Sequence, residues 1–558
     1  MVYVTYHRNY SRPTNNTQSF RRKLANNKAI KKKIKTIYHV TKNDLVETAH
    51  EYSQNSSLHG LRYVGNKDLH VIERLFWIIS FTLASCASGY FINDLLQKWY
   101  EMPVIMSLSA KSTSLTTIPF PAITICNMNN VRKTMAEQIL STNDSILEQS
   151  LLEDFCEEDT LLESTMEDNN TSSWHQVQNF MVKVSQPCHE MIVSCKWHGE
   201  QQNCYEIFNS ALTDEGMCCS FNKVKNDLIF RNPSHFSDVN ITFPFTYVDW
   251  TPERGYPRDT PLNHIPWRPW GAGSHLGLTI VLNAELDEYY CSSEASHGFK
   301  ATLHNPVETP KISAFGTLLR PGTETQVIIS PIINLASLQL TKINQDKRQC
   351  FFSDEKVLRF YRTYTQRNCI LECESNFTLY FCQCVMYYMP KDSTTRICGK
   401  QDIPCANRAK LAMETKLGWL YMNATKRNHN TQKPNCGCLP GCFSIIYEKK
   451  EFSSDISSKF KVKDPFYYRK NMAMVHFFFT DAQFTSIIKG ELFGTTELLS
   501  GTGGLLGLFM GFSFLSVFEA LYFATLRFWC SIRQKRKHVS EKIAASKITP
   551  KTLYPFYK

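Results

Sequence analysis

The stretch GGLLGLFMGFSFLSVFEALYF, residues 503–523, is as apolar as a membrane helix but contains glycines that a simple lipid anchor does not need. Gly504, Gly507 and Gly511 follow one another at intervals of three and four residues, and Ser500 lies one helical turn before them. This spacing puts small residues on one face of a helix, where the backbone of another helix can approach closely. The stretch therefore predicts a membrane helix whose small-residue face packs against neighbouring helices.

Two segments of the chain have the length and composition of membrane spans. Residues 75–93 and 498–518 carry no charged side chain, and each is long enough to cross a hydrocarbon core of about 30 Å at about 1.5 Å per residue. The polar N-terminal region lacks the apolar segment of a signal peptide, so the first span is expected to direct its own insertion. Basic runs at 28–35 and 527–538 flank the spans. Because flanking Lys and Arg stay in the cytosol, both termini are predicted to be cytosolic.

This topology divides the chain into five segments, with an extracellular domain far larger than either tail. The net charge of +11 lies largely in the tails, which favours membrane lipid over nucleic acid as the partner of the basic residues. Two spans per chain enclose a pore only when several chains assemble in a ring. The predicted segments are a cytosolic tail at 1–73, a first transmembrane helix at 74–95, an extracellular disulfide-rich domain at 96–490, a second transmembrane helix at 491–526 and a basic cytosolic tail at 527–558.

Cysteine usage supports an extracellular location for the central domain. Of the 20 cysteines, Cys86 lies in the first span and Cys530 in the C-terminal tail, which leaves 18 between Cys126 and Cys442. A dense and even set in one segment is typical of disulfides formed in an oxidising compartment. Sequons in the same segment predict glycosylation, although Asn55 and two earlier residues match the pattern on the cytosolic side. The predicted glycosylation sites are Asn143, Asn169, Asn170, Asn240, Asn376 and Asn423.

The extracellular segment has both strand and helix patterns, so the predicted fold class is α+β. Strand candidates are rich in β-branched residues and bounded by Gly, Pro and Asn; they lie at 121–127, 274–284, 298–305 and 323–332. Apolar residues recur at helical spacing over 131–155 and 353–377. Residues 406–435 are rich in Asn, Lys and Thr and are predicted to form an exposed insertion between cysteines.

From Cys350 to Cys442 the cysteines follow the pattern C-x18-C-x3-C-x8-C-x1-C-x13-C-x6-C-x30-C-x1-C-x3-C. The C-x3-C spacing places two cysteines one turn apart on one helix face, so each can reach one cysteine of the later C-x1-C pair. Zinc ribbons present two C-x2-C knuckles, which the CQC and CGC motifs do not supply. Structural disulfides are therefore preferred to a metal site.

This cysteine set resembles the thumb domain of the degenerin, epithelial sodium channel and acid-sensing ion channel family. The resemblance extends over almost the whole chain. Within the family, an adjacent cysteine pair and a Trp-Thr-Pro segment resemble the arthropod pickpocket subfamily. The other motifs that carry the resemblance are PFPAITICN at 119–127, SSLHGLRYV at 56–64, the G-x-S triplet GFS at 511–513, CCSF at 218–221 and DWTPERGY at 249–256.

The resemblance implies a fold with palm β-sheets and helical finger and thumb regions, the thumb at about 350–442. It also implies how the cysteines pair. The pairs carried over from the family are Cys126–Cys218, Cys195–Cys204, Cys350–Cys442, Cys369–Cys438, Cys373–Cys436, Cys382–Cys405 and Cys384–Cys398. The four remaining cysteines are assigned provisionally as Cys156–Cys188 and Cys219–Cys291.

The resemblance also assigns roles around the second span. Gly511, Phe512 and Ser513 are the expected selectivity filter, where carbonyl oxygens and the serine hydroxyl replace part of the hydration shell of a cation. The expected pore-lining and gate residues are Ser500, at the family's degenerin position, Gly504, Gly507 and Glu519. His59 and Gly60 are the expected gating motif.

Three observations qualify these roles. The pattern G-x-x-x-G alone is more typical of helix packing in a single-span receptor. Glu519 alone is as consistent with a side chain that reaches the inner headgroups as with an ion site. Acid-sensing members have an aromatic residue two positions before the first thumb cysteine, and Arg348 occupies that position here. Proton gating by that route is therefore not expected.

The sequence predicts a channel subunit rather than an enzyme, because it lacks G-x-S-x-G, H-E-x-x-H and phosphate-loop motifs. The prediction is a plasma-membrane, amiloride-sensitive, sodium-selective channel that assembles as a homo- or heterotrimer with related subunits. No cofactor or bound metal is expected beyond the permeant sodium ion. Its stimulus is expected to be mechanical or chemical, with an extracellular ligand or matrix as a candidate partner. The alternative hypothesis is a non-conducting accessory subunit or receptor.

Overall fold

A computed structural model of the 558-residue chain describes residues 46–142, 146–156, 174–233, 244–425, 435–457, 464–534 and 537. The chain forms two compact units. The first unit combines Met1–Pro103 with Leu492–Lys558, and the second consists of Val104–Glu491. The boundaries between the two units lie after Pro103 and after Glu491, whereas the sequence predicted that the extracellular domain spans 96–490.

In the part of the first unit that the structure describes, the regular elements are helices. One helix, Val71–Glu101, and a second, Phe514–Gln534, are long and apolar enough to cross a membrane. Val71–Glu101 extends beyond the predicted span of 74–95 at both ends, and its first turn is capped by His70, whose ring accepts a bond from the backbone N–H of Ile72. The helices of this unit are 46–55, Leu61–Gly65, Val71–Glu101, Thr495–Met510 and Phe514–Tyr522, the last continuing through a π-helical turn at Phe523–Arg527.

The second unit is built on β-sheets, as the strand patterns predict. All four strand candidates form strands, and the strand at 323–336 is longer than its sequence signal. The strands are β1 Val104–Leu108, β2 Thr113–Ser114, β3 Ala122–Asn127, β4 Asn129–Arg132, β5 Ile192–Trp197, β6 Glu200–Gln202, β7 Phe208–Thr213, β8 Gly216–Phe221, β9 Leu278–Asn283, β10 Tyr289–Ser292, β11 Phe299–His304, β12 Thr317–Leu319, β13 Thr323–Ala336, β14 Ser444–Asp455, β15 Met472–Phe479, β16 Gln483–Phe484 and β17 Ile487–Glu491.

The strands form one large sheet, one medium sheet and two small ladders. The eight-stranded sheet has the order β1-β17-β13-β15-β9-β5-β6, with β14 also paired to β13. The five-stranded sheet has the order β12-β11-β3-β8-β7, and β10 pairs with β4 and β16 with β2. The central strand β13 is antiparallel to β14 and parallel to both β15 and β17. The large sheet therefore joins the first strand of the unit, β1, to the last one, β17.

The main core contains side chains from both larger sheets. Phe120, Phe221 and Phe479 are each at most 1% exposed and pack edge-to-face around Phe120, with ring centroids 6.1 and 5.4 Å from it. Trp197 joins them at 4.8 Å from Phe120. Such aromatic contacts add about 0.5–1.5 kcal/mol each beyond the burial of their area. The two larger sheets therefore share one core.

The second unit contains two groups of longer helices and several short helices. The finger helices are Lys133–Ser141, Ile146–Cys156 and Trp174–Val184. The thumb helices are Gln366–Cys382, Ile403–Glu414 and Lys416–Thr425. The short helices are Cys188–Met191, Cys204–Ile207, Asn226–Ile229, Ile312–Phe315, Gln345–Arg348 and Pro465–Asn471.

The predicted helix over 353–377 was only partly right. The helix begins at Gln366, where the Thr365 side chain caps its first turn. Upstream, the Glu372 carboxylate accepts bonds from the backbone N–H of Arg359 at 2.9 Å and of the following residue at 3.0 Å. Because this carboxylate satisfies backbone groups that a helix would otherwise use, the preceding residues form a loop.

The prediction of an exposed insertion at 406–435 was wrong for its first part. Residues up to Thr425 form two helices of the thumb. Ala409 and Trp419 are 0% and 4% exposed and pack with Phe377 of the first thumb helix in one apolar cluster. The buried alanines of the helix Ile403–Glu414 therefore form a helix-packing face. Residues 426–434 lie outside the described residues.

Nine disulfides connect the second unit. Seven of them are the pairs that the family resemblance implies, and five of these lie in the thumb. The seven are Cys126–Cys218, Cys195–Cys204, Cys350–Cys442, Cys369–Cys438, Cys373–Cys436, Cys382–Cys405 and Cys384–Cys398. The free cysteines of the described part of the chain are Cys86 and Cys530.

The provisional pairs Cys156–Cys188 and Cys219–Cys291 were wrong. The structure joins Cys156 to Cys291 and Cys188 to Cys219. Cys156 ends a finger helix that packs against β10, which carries Cys291. Cys188 begins a short helix that packs against β7, the neighbour of the Cys219 strand β8. Each true pair thus links two elements that pack together, which sequence order did not indicate.

A single Cys156→Ala substitution tests the corrected pairing. We expect it to release one thiol, on Cys291, that maleimide labels in the folded protein, and peptide mapping by mass spectrometry identifies the labelled residue. The double substitution Cys156→Ala with Cys291→Ala is the control and should add no new label. Labelling of Cys188 instead would restore the provisional pairing.

Candidate functional site

The second membrane segment is interrupted at residues 511–513, between the half-helices Thr495–Met510 and Phe514–Tyr522. Gly511 ends the first half-helix in the left-handed conformation, with φ of +68°, and its N–H donates to the Gly507 carbonyl at 2.9 Å. Only glycine adopts this conformation without a steric penalty. The interruption is therefore encoded by a glycine at the one position that needs it.

The second half-helix restarts through a reciprocal cap. The Ser513 hydroxyl accepts a bond from the Ser516 N–H, and the Ser516 hydroxyl accepts one from the Ser513 N–H at 3.1 Å. Ser516 is 1% exposed. A capping box satisfies backbone N–H groups that the end of a helix leaves open. The Ser513 hydroxyl thus has a structural task, and the Ser513 carbonyl also accepts a bond from the Ser516 N–H at 3.0 Å.

An N-terminal arm, residues 46–65, docks at the break. The backbone N–H of His59 donates to the Met510 carbonyl at 2.9 Å. The His59 ring lies so close to Gly511 that a Cβ built on this glycine would be 2.6 Å from it. Gly60 is also left-handed, with φ of +84°, and faces the Trp77 ring. The His-Gly motif therefore contacts the G-x-S triplet, although the two are far apart in sequence.

The arm also engages the acid of the second half-helix. Ser57 donates to one Glu519 oxygen from its hydroxyl at 2.8 Å and from its backbone N–H at 3.2 Å. The same hydroxyl lies 2.8 Å from the Ser516 hydroxyl. Glu519 was predicted to line a pore or to reach the headgroups. In this structure the arm binds its carboxylate.

A second polar contact holds the arm about two turns further along the helix. The Arg527 guanidinium pairs with the Glu51 carboxylate, with the closest nitrogen and oxygen 2.6 Å apart. The rings of Tyr52 and Phe523 pack beside this pair with centroids 5.4 Å apart. The arm thus follows the second half-helix from the break to its basic end.

The first half-helix has two distinct small-residue faces. Gly501 faces the first membrane helix, because a Cβ on it would lie 2.9 Å from a Leu95 methyl carbon. A Cβ on Gly503 or Gly504 would meet no atom of the described residues within 4 Å, and Ser500 is exposed. The stripe that includes Ser500 and Gly504 therefore remains available to another chain, while Gly501 serves packing within this one.

Arg348, which replaces the expected aromatic residue, lies inside the second unit and is 2% exposed. Its guanidinium donates to the carbonyls of Cys350 and Ile343 at 3.0 and 3.1 Å and pairs with Glu355. Lys489 of β17 donates to the Arg348 carbonyl at 2.8 Å, and burial lowers the pKa of this lysine. The base of the thumb is therefore tied by polar contacts to the last strand before the second span.

Among the predicted glycosylation sites, Asn376 is exposed on the first thumb helix. Asn143, Asn169, Asn170 and Asn240 lie outside the described residues.

Sequence reasoning missed several residues of the site. Ser57, Glu51 and Arg527 carry no motif that marks them before the fold is known. The pattern Ser513-x-x-Ser516 is a recognisable variant of the helix-start signature and could have predicted the restart at 514. In the sequence, Gly501 cannot be told apart from the nearby Gly503 and Gly504. Only the position of the first membrane helix shows that Gly501 packs against that helix and that the other two do not.

Several known proteins are similar to this chain over most of its length. A family model described as amiloride-sensitive sodium channel matches residues 52–523. Pickpocket protein 28 of Drosophila melanogaster is 36% identical over 513 residues, covering 88% of this chain and 81% of the relative. Sodium channel protein Nach of Drosophila ananassae is 26% identical, covering 90% and 92%. Acid-sensing ion channel 1A of Danio rerio is 23% identical, covering 84% and 86%.

Substitution of Gly511 by alanine should destabilise the first unit. The new Cβ would carry a left-handed backbone penalty of about 1–2 kcal/mol and would displace the His59 ring. We expect a lower midpoint of thermal unfolding for the full-length protein in detergent. Gly503→Ala is the matched control, since its Cβ meets nothing within 4 Å and alanine favours a helix. Equal midpoints for the two variants would contradict the described break.

Cross-linking tests the docking of the arm. With Cys86 and Cys530 replaced by serine, the pair Ser57→Cys and Ser516→Cys should form a disulfide under mild oxidation, because the two hydroxyls are 2.8 Å apart. Protection from maleimide, reversed by reductant, reports the bond. The pair Ser57→Cys and Ser500→Cys is the control and should remain reactive. Free thiols in the first pair would show that the arm does not reach the second half-helix.

Proposed function

The chain belongs to the amiloride-sensitive sodium channel family, and we propose that it is a pore-forming subunit of a sodium-selective channel. The observation that carries the proposal is the break at Gly511–Ser513 in a membrane helix. Interrupted backbone at membrane depth is tolerated where it is buried in protein or lines water. Carbonyl groups at such a break supply oxygens that can replace part of the hydration shell of a cation.

The subunit assembles as a trimer with identical or related chains. Support comes from the small-residue stripe with Ser500 and Gly504, which has no neighbour among the described residues of one chain. Three such stripes around an axis allow close approach of the first half-helices. A closed ring also places three copies of the break at one level. Block by amiloride is proposed from family membership.

The gate uses both ends of the second membrane segment. Ser500 is small enough to let the first half-helices close together, so that a large side chain at this position holds them apart. At the other end, the arm ties Glu519 to Ser57 and the break to His59. Movement of the arm would change the position of the break and the charge that Glu519 presents to cations.

The stimulus is extracellular and either mechanical or chemical. A domain stiffened by nine disulfides can transmit a displacement without deforming, because each cross-link restricts the conformations that the chain can adopt. The protein lies in the plasma membrane. Both termini are in the cytosol, because one basic run precedes the first span and the other follows the second. Two candidate spans agree with this topology.

The proposal predicts that Ser500→Val produces a constitutive sodium current. Expressed in oocytes, this variant should give an inward current several times that of the unmodified chain at equal surface amounts, and amiloride should block it. Ser500→Ala is the matched control and should behave like the unmodified chain. Surface delivery without current, both alone and with a related subunit, would instead identify a non-conducting accessory subunit.

A further inference from the structure

The second half-helix continues through one π-helical turn, Phe523–Arg527, before the chain returns to α-helix at Phe528. A π turn closes its hydrogen bonds over five residues instead of four, so it takes up one residue more than an α-helical turn. Its sequence, FATLR, contains no proline or glycine, which are usual causes of an irregular helix. The local sequence therefore does not force the π turn.

One side chain supports the irregular backbone from within the turn. The Thr525 hydroxyl donates to the Leu521 carbonyl at 2.6 Å. Bonds of this kind satisfy carbonyl groups when a π turn disturbs the regular backbone pattern of a membrane helix. The Thr525 bond therefore lowers the cost of the π turn, so that the π and α forms of this segment can be close in free energy.

The arm contacts the π turn at both of its ends. At the first residue, the Phe523 ring packs against the Tyr52 ring, with centroids 5.4 Å apart. At the last residue, the Arg527 guanidinium donates to the Glu51 carboxylate, from Nη2 at 2.6 Å to one oxygen and from Nε at 3.1 Å to both. Glu51 and Tyr52 are neighbours on the helix 46–55. The π turn thus lies where this helix of the arm docks.

The π turn also changes the direction of Arg527 relative to Glu519, which the arm binds as well. The two residues are eight positions apart, and each residue of an α-helix turns by about 100°, so an uninterrupted α-helix would separate them by about 80° around its axis. The extra residue of the π turn reduces this angle to about 20°. An α-helical turn would therefore direct Arg527 away from the face that the arm covers.

The ion pair between Arg527 and Glu51 is accessible to water. The two side chains are 40% and 38% exposed, and ion pairs with such exposure are weak because water competes for both partners. A contact that forms in only one of two backbone states favours that state by its own free energy. Docking of the arm therefore favours the π turn, and release of the arm removes this preference.

From these contacts we propose that the π turn is a switch that the arm controls. The turn is π-helical while the arm is docked and becomes α-helical when Glu51 releases Arg527. This change rotates the helix after the turn by about 100° relative to the break. The same arm bonds the break through the His59 N–H and the Met510 carbonyl, so its release changes both places together. The inference rests on the proposed function only for its effect on current.

Spin labels on either side of the turn test the switch without any current, so its failure is distinct from failure of the channel proposal. With Cys86 and Cys530 replaced by serine, the labels are attached at Leu521→Cys and Trp529→Cys, two exposed positions that are eight residues apart. The π turn places them about 20° apart around the axis, and an α-helix about 80° apart. We expect dipolar broadening of the electron paramagnetic resonance spectrum for the full-length protein in lipid nanodiscs. Single-label variants measure the contribution of neighbouring copies.

Glu51→Arg should remove most of this broadening, because two guanidinium groups repel each other and release the arm. Glu73→Arg is the matched control, since it changes an exposed acid at the start of the first membrane helix, and it should keep the broadening. Deletion of Ala524 removes the extra residue, so that an α-helix then places the two labels about 20° apart. When it is combined with this deletion, Glu51→Arg should leave the broadening unchanged.

Four results would overturn the proposal. Absence of broadening before any change to the arm would show that the turn is not π-helical in the docked protein. Full broadening in Glu51→Arg, or an equal loss in Glu73→Arg, would show that the contact with Glu51 does not hold the turn. Loss of broadening when Glu51→Arg is combined with the deletion would indicate fraying of the helix end instead of a rotation.

Discussion

Inside a membrane, a helix can be interrupted only if the backbone groups at the interruption find partners, and this constraint organises the first unit. Gly511 takes the left-handed conformation that closes the first half-helix, and Ser513 with Ser516 caps the second. The Met510 carbonyl receives its bond from the His59 N–H. The arm is therefore part of the break, since without it a helix-end carbonyl would lack this donor. The contacts to Glu519 follow from the same docking.

Under the proposed function the second unit meets a different constraint, because a domain that passes on a stimulus must not deform internally. The long strand β13 pairs with β14, β15 and β17, so the large sheet continues from the middle of the domain to the strand that precedes the second span. The buried Arg348 and the bond from Lys489 connect the thumb base to that same strand. Where the resemblance leads us to expect an aromatic contact, this chain uses a network of carbonyls and charges, which is directional.

Much of this architecture could be predicted from the sequence, and the failures have physical causes. Hydropathy gave the spans, and the resemblance gave the position of the break and seven cysteine pairs, because these depend on local composition and spacing. Cys156 and Cys188 were assigned to each other only provisionally, whereas packing of a finger helix on β10 brings Cys291 to Cys156. The helical periodicity upstream of Gln366 was overridden by the Glu372 carboxylate. The partners of Glu519 and Arg527 depend on long-range docking, which no local pattern encodes.

The central claim is that residues 511–513 face water in the assembled protein. A high-resolution density map of the assembly in lipid nanodiscs measures this directly. The account predicts several copies around one axis, with ordered water or cation density next to the carbonyl oxygens of the break and with the His59 loop in contact with each copy. Acyl-chain density packed against these residues, with no continuous water along the axis, would contradict it.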